Sequence, residues 1–425
     1  MRDAKNLASS LASTGANVLW PIFSTPIYAT VLGPSMWGTM SLLLLTQLAA
    51  SLIEQGYSQS IMKDLMVEKT SAPTRYLLVL YVLRNNYFKA GTLLGTALSI
   101  AFFYISSEKI QADSLPYIKL AIAHALLVPL ICAQIMGAFF RAILLGNEKH
   151  VELATINIIS QTLKHGMGAM LCFYTHDLLP IISWYTICSI GDAISKYRAT
   201  KIHAIDIRLQ SPCDIRSATK ATKPINRNAL KMSVAVLLGS AIVYSDRFIV
   251  GQILSLEEVG IYAIASTAAL GFLQIIYPLG QIILPKIIQN KNAPNKRWVL
   301  NINALLVVLS AIAITGIAFV TIGESVITLW LQDPQLSERV LQPTKILMLG
   351  VACNATFNIG YWNWLADGSD KVIMTTFFLS GVVSVATTLI LTRSYGLSGA
   401  ATGWTVGNAT CMLISLGWLI RSKKA

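Results

Sequence analysis

Two pairs of adjacent ionisable residues lie inside long apolar stretches of this sequence. One pair is Asp246 and Arg247, and the other is Lys164 and His165. Ionisable residues are costly to bury in a bilayer, so they are candidates for function wherever they occur there. Arginine and lysine can bind an anion, and a carboxyl group or histidine can exchange protons. We therefore predict that Arg247 and Lys164 bind an anionic substrate and that Asp246 and His165 take part in ion coupling.

Each pair also has a structural interpretation, which the sequence leaves open. Adjacent residues of a helix point about 100° apart, so Asp246 and Arg247 cannot both face one direction. They could form a structural pair or lean toward the outer half of their helix. Lys164 could instead pair with Asp192 of the following helix and close an internal ion pair, although Asp192 is itself a candidate for ion coupling.

Five further residues extend the set of candidates. Lys119, Lys345 and His124 are candidate substrate ligands within predicted helices. Lys119 and Lys345 lie near outer helix ends, where long side chains also snorkel to the interface, and a lone histidine often serves in packing. Arg84 could bind an anionic substrate at the cytoplasmic mouth, or simply anchor its helix. Glu54, near the cytoplasmic end of the second helix, is a candidate coupling carboxylate or a solvated helix-end charge.

The elements that must position these residues are transmembrane helices. Of the 425 residues, 54% are hydrophobic and only 12% are charged, whereas soluble domains carry about 25% charged residues. The apolar residues occur in blocks of about 20, the length that crosses a bilayer as a helix. We predict spans at 10–31, 36–57, 86–106, 115–138, 151–174, 178–198, 230–254, 258–280, 299–322, 342–365, 371–392 and 397–420.

Two apolar segments fall outside these spans. Residues 74–85 are predicted to form an interfacial helix or a cytoplasmic extension of the third span, and residues 323–331 to lie along the outer interface. The net charge of +13 comes from lysines and arginines in short loops between apolar blocks, which argues against nucleic-acid binding. Most of these loops lie in the cytoplasm if both termini do, so the positive-inside rule predicts that orientation.

The chain contains an internal repeat. A shift of 222 residues places Gly38 on Gly260, Gly146 on Gly368 and Lys149 on Lys371 without a gap. Six helices per half give both repeats the same orientation, so the repeat is parallel. We predict an N-terminal six-helix bundle at 1–198, a basic cytoplasmic linker at 199–229 and a C-terminal six-helix bundle at 230–425, with a cavity between the bundles.

Several motifs resemble a known family. Pro26 followed by VLGPSMWGTMS, then LIEQGYSQS, and SDRFIVGQILSLEEVGIYAIAS from Ser245 onward resemble the polysaccharide-exporting branch of the multidrug/oligosaccharidyl-lipid/polysaccharide exporters. Within that branch they are most similar to the Wzx-type O-antigen flippases. The resemblance implies an all-α polytopic membrane protein whose two bundles form a V around a central cavity. It also implies transport of undecaprenyl-diphosphate-linked oligosaccharides from the inner to the outer leaflet of the bacterial inner membrane.

Other function classes are disfavoured by motifs that the sequence lacks. There is no GxxxxGK[ST] motif for ATP hydrolysis, no CxxC pair for a metal, and no long predicted outer loop such as a glycan polymerase carries. We predict a transporter without catalytic residues, cofactor or metal, whose partners include membrane lipids, a glycan polymerase and a chain-length regulator. The alternative is an ion-coupled small-molecule or multidrug exporter, which for cationic drugs should favour carboxylates over the cations found here.

Overall fold

The protein is helical throughout the residues that its computed structural model describes, which are 2–71, 73–113, 116–200, 219–223, 225–227, 244–291 and 293–422. Their backbone departs from helix only in short turns. The helices are α1 Arg2–Ser71, α2 Pro73–Asp113, α3 Tyr117–Gly146, α4 His150–Thr162, α5 Gly168–Thr175, α6 Leu178–Thr200, α7 244–253, α8 Leu256–Gln289, α9 Pro294–Leu331, α10 Pro334–Asp367 and α11 Asp370–Ser422.

Two glycines and one π-helical turn relate these elements to the twelve predicted spans. Gly33 has φ +77° and divides α1 into two rods, and Gly396 has φ +56° and divides α11 in the same way. Glycine suits both positions because other residues rarely adopt positive φ. The π-helical turn Leu163–Met167 joins α4 and α5 into one continuous rod. Besides the short helical segments 219–223 and 225–227, the described residues therefore form twelve helical rods, the number that the sequence predicts.

Several of these helices have the length and composition of membrane spans. Among the described residues, six segments are long and apolar enough to cross a membrane by length and composition. The segment 74–85 is a continuous part of α2, so the alternative of a separate interfacial helix is wrong. The segment 323–331 continues α9 to its end at Leu331 and is not a separate surface helix.

Of the predicted linker 199–229, residues 201–218, 224 and 228–229 lie outside the described residues.

Contacts divide the chain into two compact units. The first unit comprises Met1–Ser24 and Thr39–Leu237, and the second comprises Thr25–Gly38 and Leu238–Ala425. The segment Thr25–Gly38, which belongs to the N-terminal half by sequence, thus clusters with the C-terminal helices. The bundle boundaries at 198 and 230 remain our proposed division of the repeat.

The repeat is visible as a reciprocal contact within the second unit. A Cβ atom added to Gly38 would overlap the backbone carbonyl of Leu256, and one added to Gly260 would overlap the carbonyl of Pro34. The shift of 222 residues that relates Gly38 to Gly260 also relates Pro34 to Leu256. The two helix starts therefore pack backbone to backbone in a locally symmetric way, which requires glycine on both sides.

Substitution of Gly260 by alanine is expected to destabilise the protein because the added methyl group meets a backbone atom that cannot rotate away. Overpacking of this kind costs about 1–3 kcal/mol. Gly191→Ala is the matched control, since an added Cβ at that position of α6 has no atom within 4 Å. Thermal unfolding of the purified variants in detergent should show a lower Tm for Gly260→Ala only. Equal Tm values for the two variants would contradict the close packing.

Candidate functional site

A polar cavity lies within the first unit, between α1, α3, the α4–α5 rod and α6. Its volume is about 170 Å³, and its charged lining residues are Arg141, Lys164, Lys196 and Asp192. Three positive charges against one negative charge give this cavity a cationic character. The uncharged polar side chains that complete the lining are Asn17, Gln47, Gln134, Asn157, Ser160, Gln161 and Ser189.

Lys164 reaches this cavity from the π-helical turn. A π turn adds one residue to a helical turn, and such insertions are frequent at functional sites. The Lys164 ammonium group lies 4.6 Å from the ring centroid of Tyr185, a cation–π arrangement. Among the side chains that the structure describes, no carboxylate oxygen lies within ion-pair distance of Lys164. Its positive charge is therefore available to a bound anion.

Asp192 pairs with a residue of its own helix. Its Oδ2 atom lies 2.6 Å from Nζ of Lys196, one helical turn further along α6. The internal ion pair between Lys164 and Asp192, considered above as a structural alternative, is therefore not formed, although both residues line the same cavity. Asp192 instead holds the Lys196 ammonium group against the cavity wall.

His165 is fixed by two hydroxyl groups at the same π turn. Its Nδ1 atom lies 3.2 Å from Ser24 Oγ and 3.1 Å from Tyr185 Oη. Nδ1 can accept a hydrogen bond from either hydroxyl, or donate one if it carries the proton. Lys164 and His165 therefore share Tyr185 as a neighbour, with the ammonium group over its ring and the imidazole against its hydroxyl.

Arg141 and Lys196 belong to the cavity although the candidate set omits them. Arg141 lies beyond the predicted fourth span, and Lys196 lies near the cytoplasmic end of the sixth, where positive charges ordinarily anchor helices. Only the packing of α3 against α6 shows that both line the same polar space as Lys164. The signal available in the sequence was that Arg141 opens the segment RAILLGNEKH, which contains Gly146 and Lys149 of the internal repeat.

Asp246 lies at a second polar site, which is within the second unit. Its side chain is only 2% exposed, and its Oδ2 accepts a hydrogen bond of 2.6 Å from the hydroxyl of Tyr262. Its Oδ1 and the Ser266 hydroxyl are buried without a hydrogen-bond partner among the described atoms. Both residues line a cavity of about 10 Å³, close to the smallest space that holds one water molecule.

Arg247 lines the same small cavity as the neighbouring Asp246. Its guanidinium carbon lies 5.7 Å from the ring centroid of Tyr244. No ion pair joins it to Asp246 in the described part of the chain. The structural-pair alternative is therefore not formed.

Lys119 forms an ion pair at the start of α3. Its Nζ lies 2.5 Å from Oδ2 of Asp177, which also accepts a hydrogen bond from the Leu179 amide at the start of α6. Partial burial tends to raise the pKa of Asp177, but the hydrogen bonds and the charge of Lys119 outweigh burial and lower that pKa below its ordinary value. Lys119 therefore ties α3 to the α5–α6 turn.

The remaining candidates lie apart from the two polar sites. Lys345 is exposed on α10. His124 is buried, with Nδ1 3.0 Å from the Leu120 carbonyl oxygen and its ring edge-on to Phe103, which is the geometry of a packing residue. Arg84 lies over the ring of Tyr81 at 4.8 Å. The side chain of Glu54 lies outside the described part of the structure.

Comparison with known sequences identifies related proteins. The family model described as "Polysaccharide biosynthesis protein" matches residues 4–291. A Shigella flexneri protein named "Putative O-antigen transporter" is 21% identical over 408 residues, which cover 96% of this chain and 95% of that protein.

Comparison with solved structures shows which fold the helices share. The lipid II flippase MurJ in an inward closed conformation matches with a TM-score of 0.74 at 13% identity, over 100% of this chain and 89% of that one. A MOP superfamily transporter from Pyrococcus furiosus matches with a TM-score of 0.65 at 12% identity, over 100% of this chain and 96% of that one. An inward-facing multidrug resistance MATE family transporter of the same superfamily matches with a TM-score of 0.64 at 12% identity, over 100% and 95%.

Proposed function

Because this chain belongs to the polysaccharide biosynthesis protein family and has the fold of MOP superfamily transporters, we propose that it is a lipid-linked oligosaccharide flippase. It is a multi-pass membrane transporter and not an enzyme. Its substrate in this proposal is an undecaprenyl-diphosphate-linked oligosaccharide, an O-antigen or a similar repeat unit. The protein moves it across the bacterial inner membrane by alternating access, with both termini in the cytoplasm.

The cationic cavity of the first unit carries this proposal. A diphosphate needs cations that are not already neutralised, and the sugar hydroxyls need amide and hydroxyl partners. The cavity offers both, since Lys164 has no carboxylate partner among the described side chains and seven uncharged polar residues surround it. In a site shielded from water such charge-assisted contacts are strong. The polyprenyl chain stays in the apolar phase throughout.

The cavity is a specialised feature of one repeat. The shift of 222 residues places Ala386 at the position of Lys164, and Trp418 at that of Lys196. The C-terminal repeat therefore replaces two cavity cations by apolar residues. We infer that the first unit binds the anionic head group and that the second unit serves a different task.

We assign ion coupling to Asp246 in the second unit. A buried carboxylate whose side-chain hydrogen-bond donor, among the described residues, is Tyr262 is costly to keep charged, and a proton or a small cation relieves that cost. Its Oδ1 has no hydrogen-bond partner among the described atoms and lines a small cavity with Ser266, which leaves room for a proton or a small cation. Binding and release of the ion would then bias the equilibrium between transport states, which requires only a difference in ion affinity between them.

Complementation of a bacterial strain that lacks its own O-antigen flippase tests the proposal. The host must make the cognate glycan, and surface glycan and accumulated lipid-linked repeat unit are scored together. We expect the protein to restore surface glycan and to clear the accumulated intermediate. If small-molecule efflux rises while the intermediate persists, the chain is an ion-coupled exporter. If lipid-linked units reach the outer leaflet without the protein and only their polymerisation needs it, the flippase proposal is wrong.

A further inference from the structure

A second, apolar space lies on the outside of the first unit. It is an open groove of about 590 Å³ between α2, α3 and α6. Its walls are mainly apolar side chains, of which Phe88, Met136 and Ile194 represent the three helices, and the polar Arg84 lies at one end. In the orientation proposed above this end is the cytoplasmic one, because α2 runs outward from Pro73.

The α2 wall of the groove is a single helix face. Arg84, Phe88 and Thr92 recur at intervals of four residues, so their side chains lie above one another. At 1.5 Å per residue they cover about 12 Å along the helix. Local contacts hold the guanidinium group at the end of this face, since it lies over the ring of Tyr81 and donates to Asn85 Oδ1 at 3.4 Å. No carboxylate pairs with it in the described part of the chain.

The groove and the polar cavity share a wall. On α3, Met136 lines the groove and the adjacent Gly137 lines the cavity; on α6, Ala193 lines the groove and the adjacent Asp192 lines the cavity. The two helices approach closely there, because a Cβ atom on Gly137 would come 3.2 Å from Asp192 Oδ2. The polar cavity and the apolar groove therefore lie on opposite sides of the helix pair α3–α6, and Arg84 lies at one end of the groove.

We propose that this groove binds the isoprenoid chain of the lipid-linked substrate, with Arg84 contacting a phosphate oxygen at the cytoplasmic end. The inference rests on the proposed function, because it takes the occupant of the groove to be the lipid-linked substrate of that function. An amphiphile with an anionic end and a long apolar chain matches a groove of apolar walls with one unpaired guanidinium.

Photo-crosslinking identifies the occupant directly. Benzoylphenylalanine is placed at Thr92, which lines the groove, and as a control at Leu93, which is 74% exposed and points away from it. The variants are irradiated in membranes that make the lipid-linked glycan, and the adducts are identified by mass. We expect an isoprenoid adduct at position 92 in clear excess over position 93. A phospholipid adduct alone, or equal isoprenoid yields at the two positions, would overturn the assignment.

Filling the groove with a larger side chain tests whether binding of the isoprenoid chain there contributes to transport. Thr92→Trp is compared with Leu93→Trp in proteoliposomes, using the full-length lipid-linked oligosaccharide and an analogue whose isoprenoid chain is shortened. We expect the KM for the full-length substrate to rise about tenfold in Thr92→Trp alone, with little change for the short-chain analogue. Similar values for both variants would overturn the groove. Failure of the wild-type protein to transport either lipid would instead overturn the proposed function, and this inference with it.

Discussion

Replacement of Lys164 by methionine should reduce glycan export roughly a hundredfold, because a contact with a charged group contributes up to about 3 kcal/mol. Methionine keeps the length and the apolar stem of the side chain but removes the positive charge. The residue lies in the π-helical turn over Tyr185 and is not used in an ion pair with any described carboxylate. Apart from its contact with the Tyr185 ring, the charge is not used in an ion pair with a described carboxylate, so the main effect should fall on substrate binding.

The measurement is surface glycan in the complemented strain, at matched membrane expression. Lys291→Met is the control, since it removes one positive charge from an exposed position in the turn after α8. Lys164→Arg keeps the charge and should retain part of the activity, although a guanidinium group differs in shape from an ammonium group. Export by Lys164→Met at the wild-type level would remove the cavity from the proposed mechanism.

The sequence predicts the number of helices well because hydropathy and length are strong constraints in a membrane. It is less informative where a helix continues past the apolar block. The sequence predicts a separate segment at 74–85 before the span 86–106, yet α2 is unbroken, because the charged side chain of Arg84 does not interrupt the backbone hydrogen bonds of a helix. Likewise α9 ends only at Leu331, where Gln332 adopts the left-handed conformation that stops a helix.

The candidate site is predictable in part. Lys164 and Asp192 stand out as charges in apolar runs, and the structure brings them to one cavity. The pairing of Asp192 with Lys196 is a local contact that the spacing of four residues allows, but the choice between Lys164 and Lys196 depends on how α6 packs. The π-helical turn has no periodic signature in the sequence, and neither has the tertiary ion pair between Lys119 and Asp177.

Replacement of Asp246 by asparagine should abolish the stimulation of transport by an imposed ion gradient. The amide oxygen of asparagine can still accept the hydrogen bond from Tyr262, while the group can no longer take up a proton or neutralise a cation. Transport in proteoliposomes is measured with and without the gradient. We expect gradient-driven transport to fall more than tenfold, toward the rate without a gradient.

The thermal stability of the variants distinguishes a coupling role of Asp246 from a purely structural role. If Asp246 were only a structural acid, asparagine would lower the Tm and transport together. For a coupling residue we expect an unchanged or higher Tm, because replacing a buried charge by a neutral group of similar shape removes a desolvation cost. Tyr262→Phe is the matched comparison, since it removes the hydrogen-bond donor but leaves the carboxyl group in place. It should lower the Tm and still respond to the gradient. If Asp246→Asn still responded fully to the gradient, the carboxyl group of Asp246 would not be needed for ion coupling, and another residue would have to bind the ion.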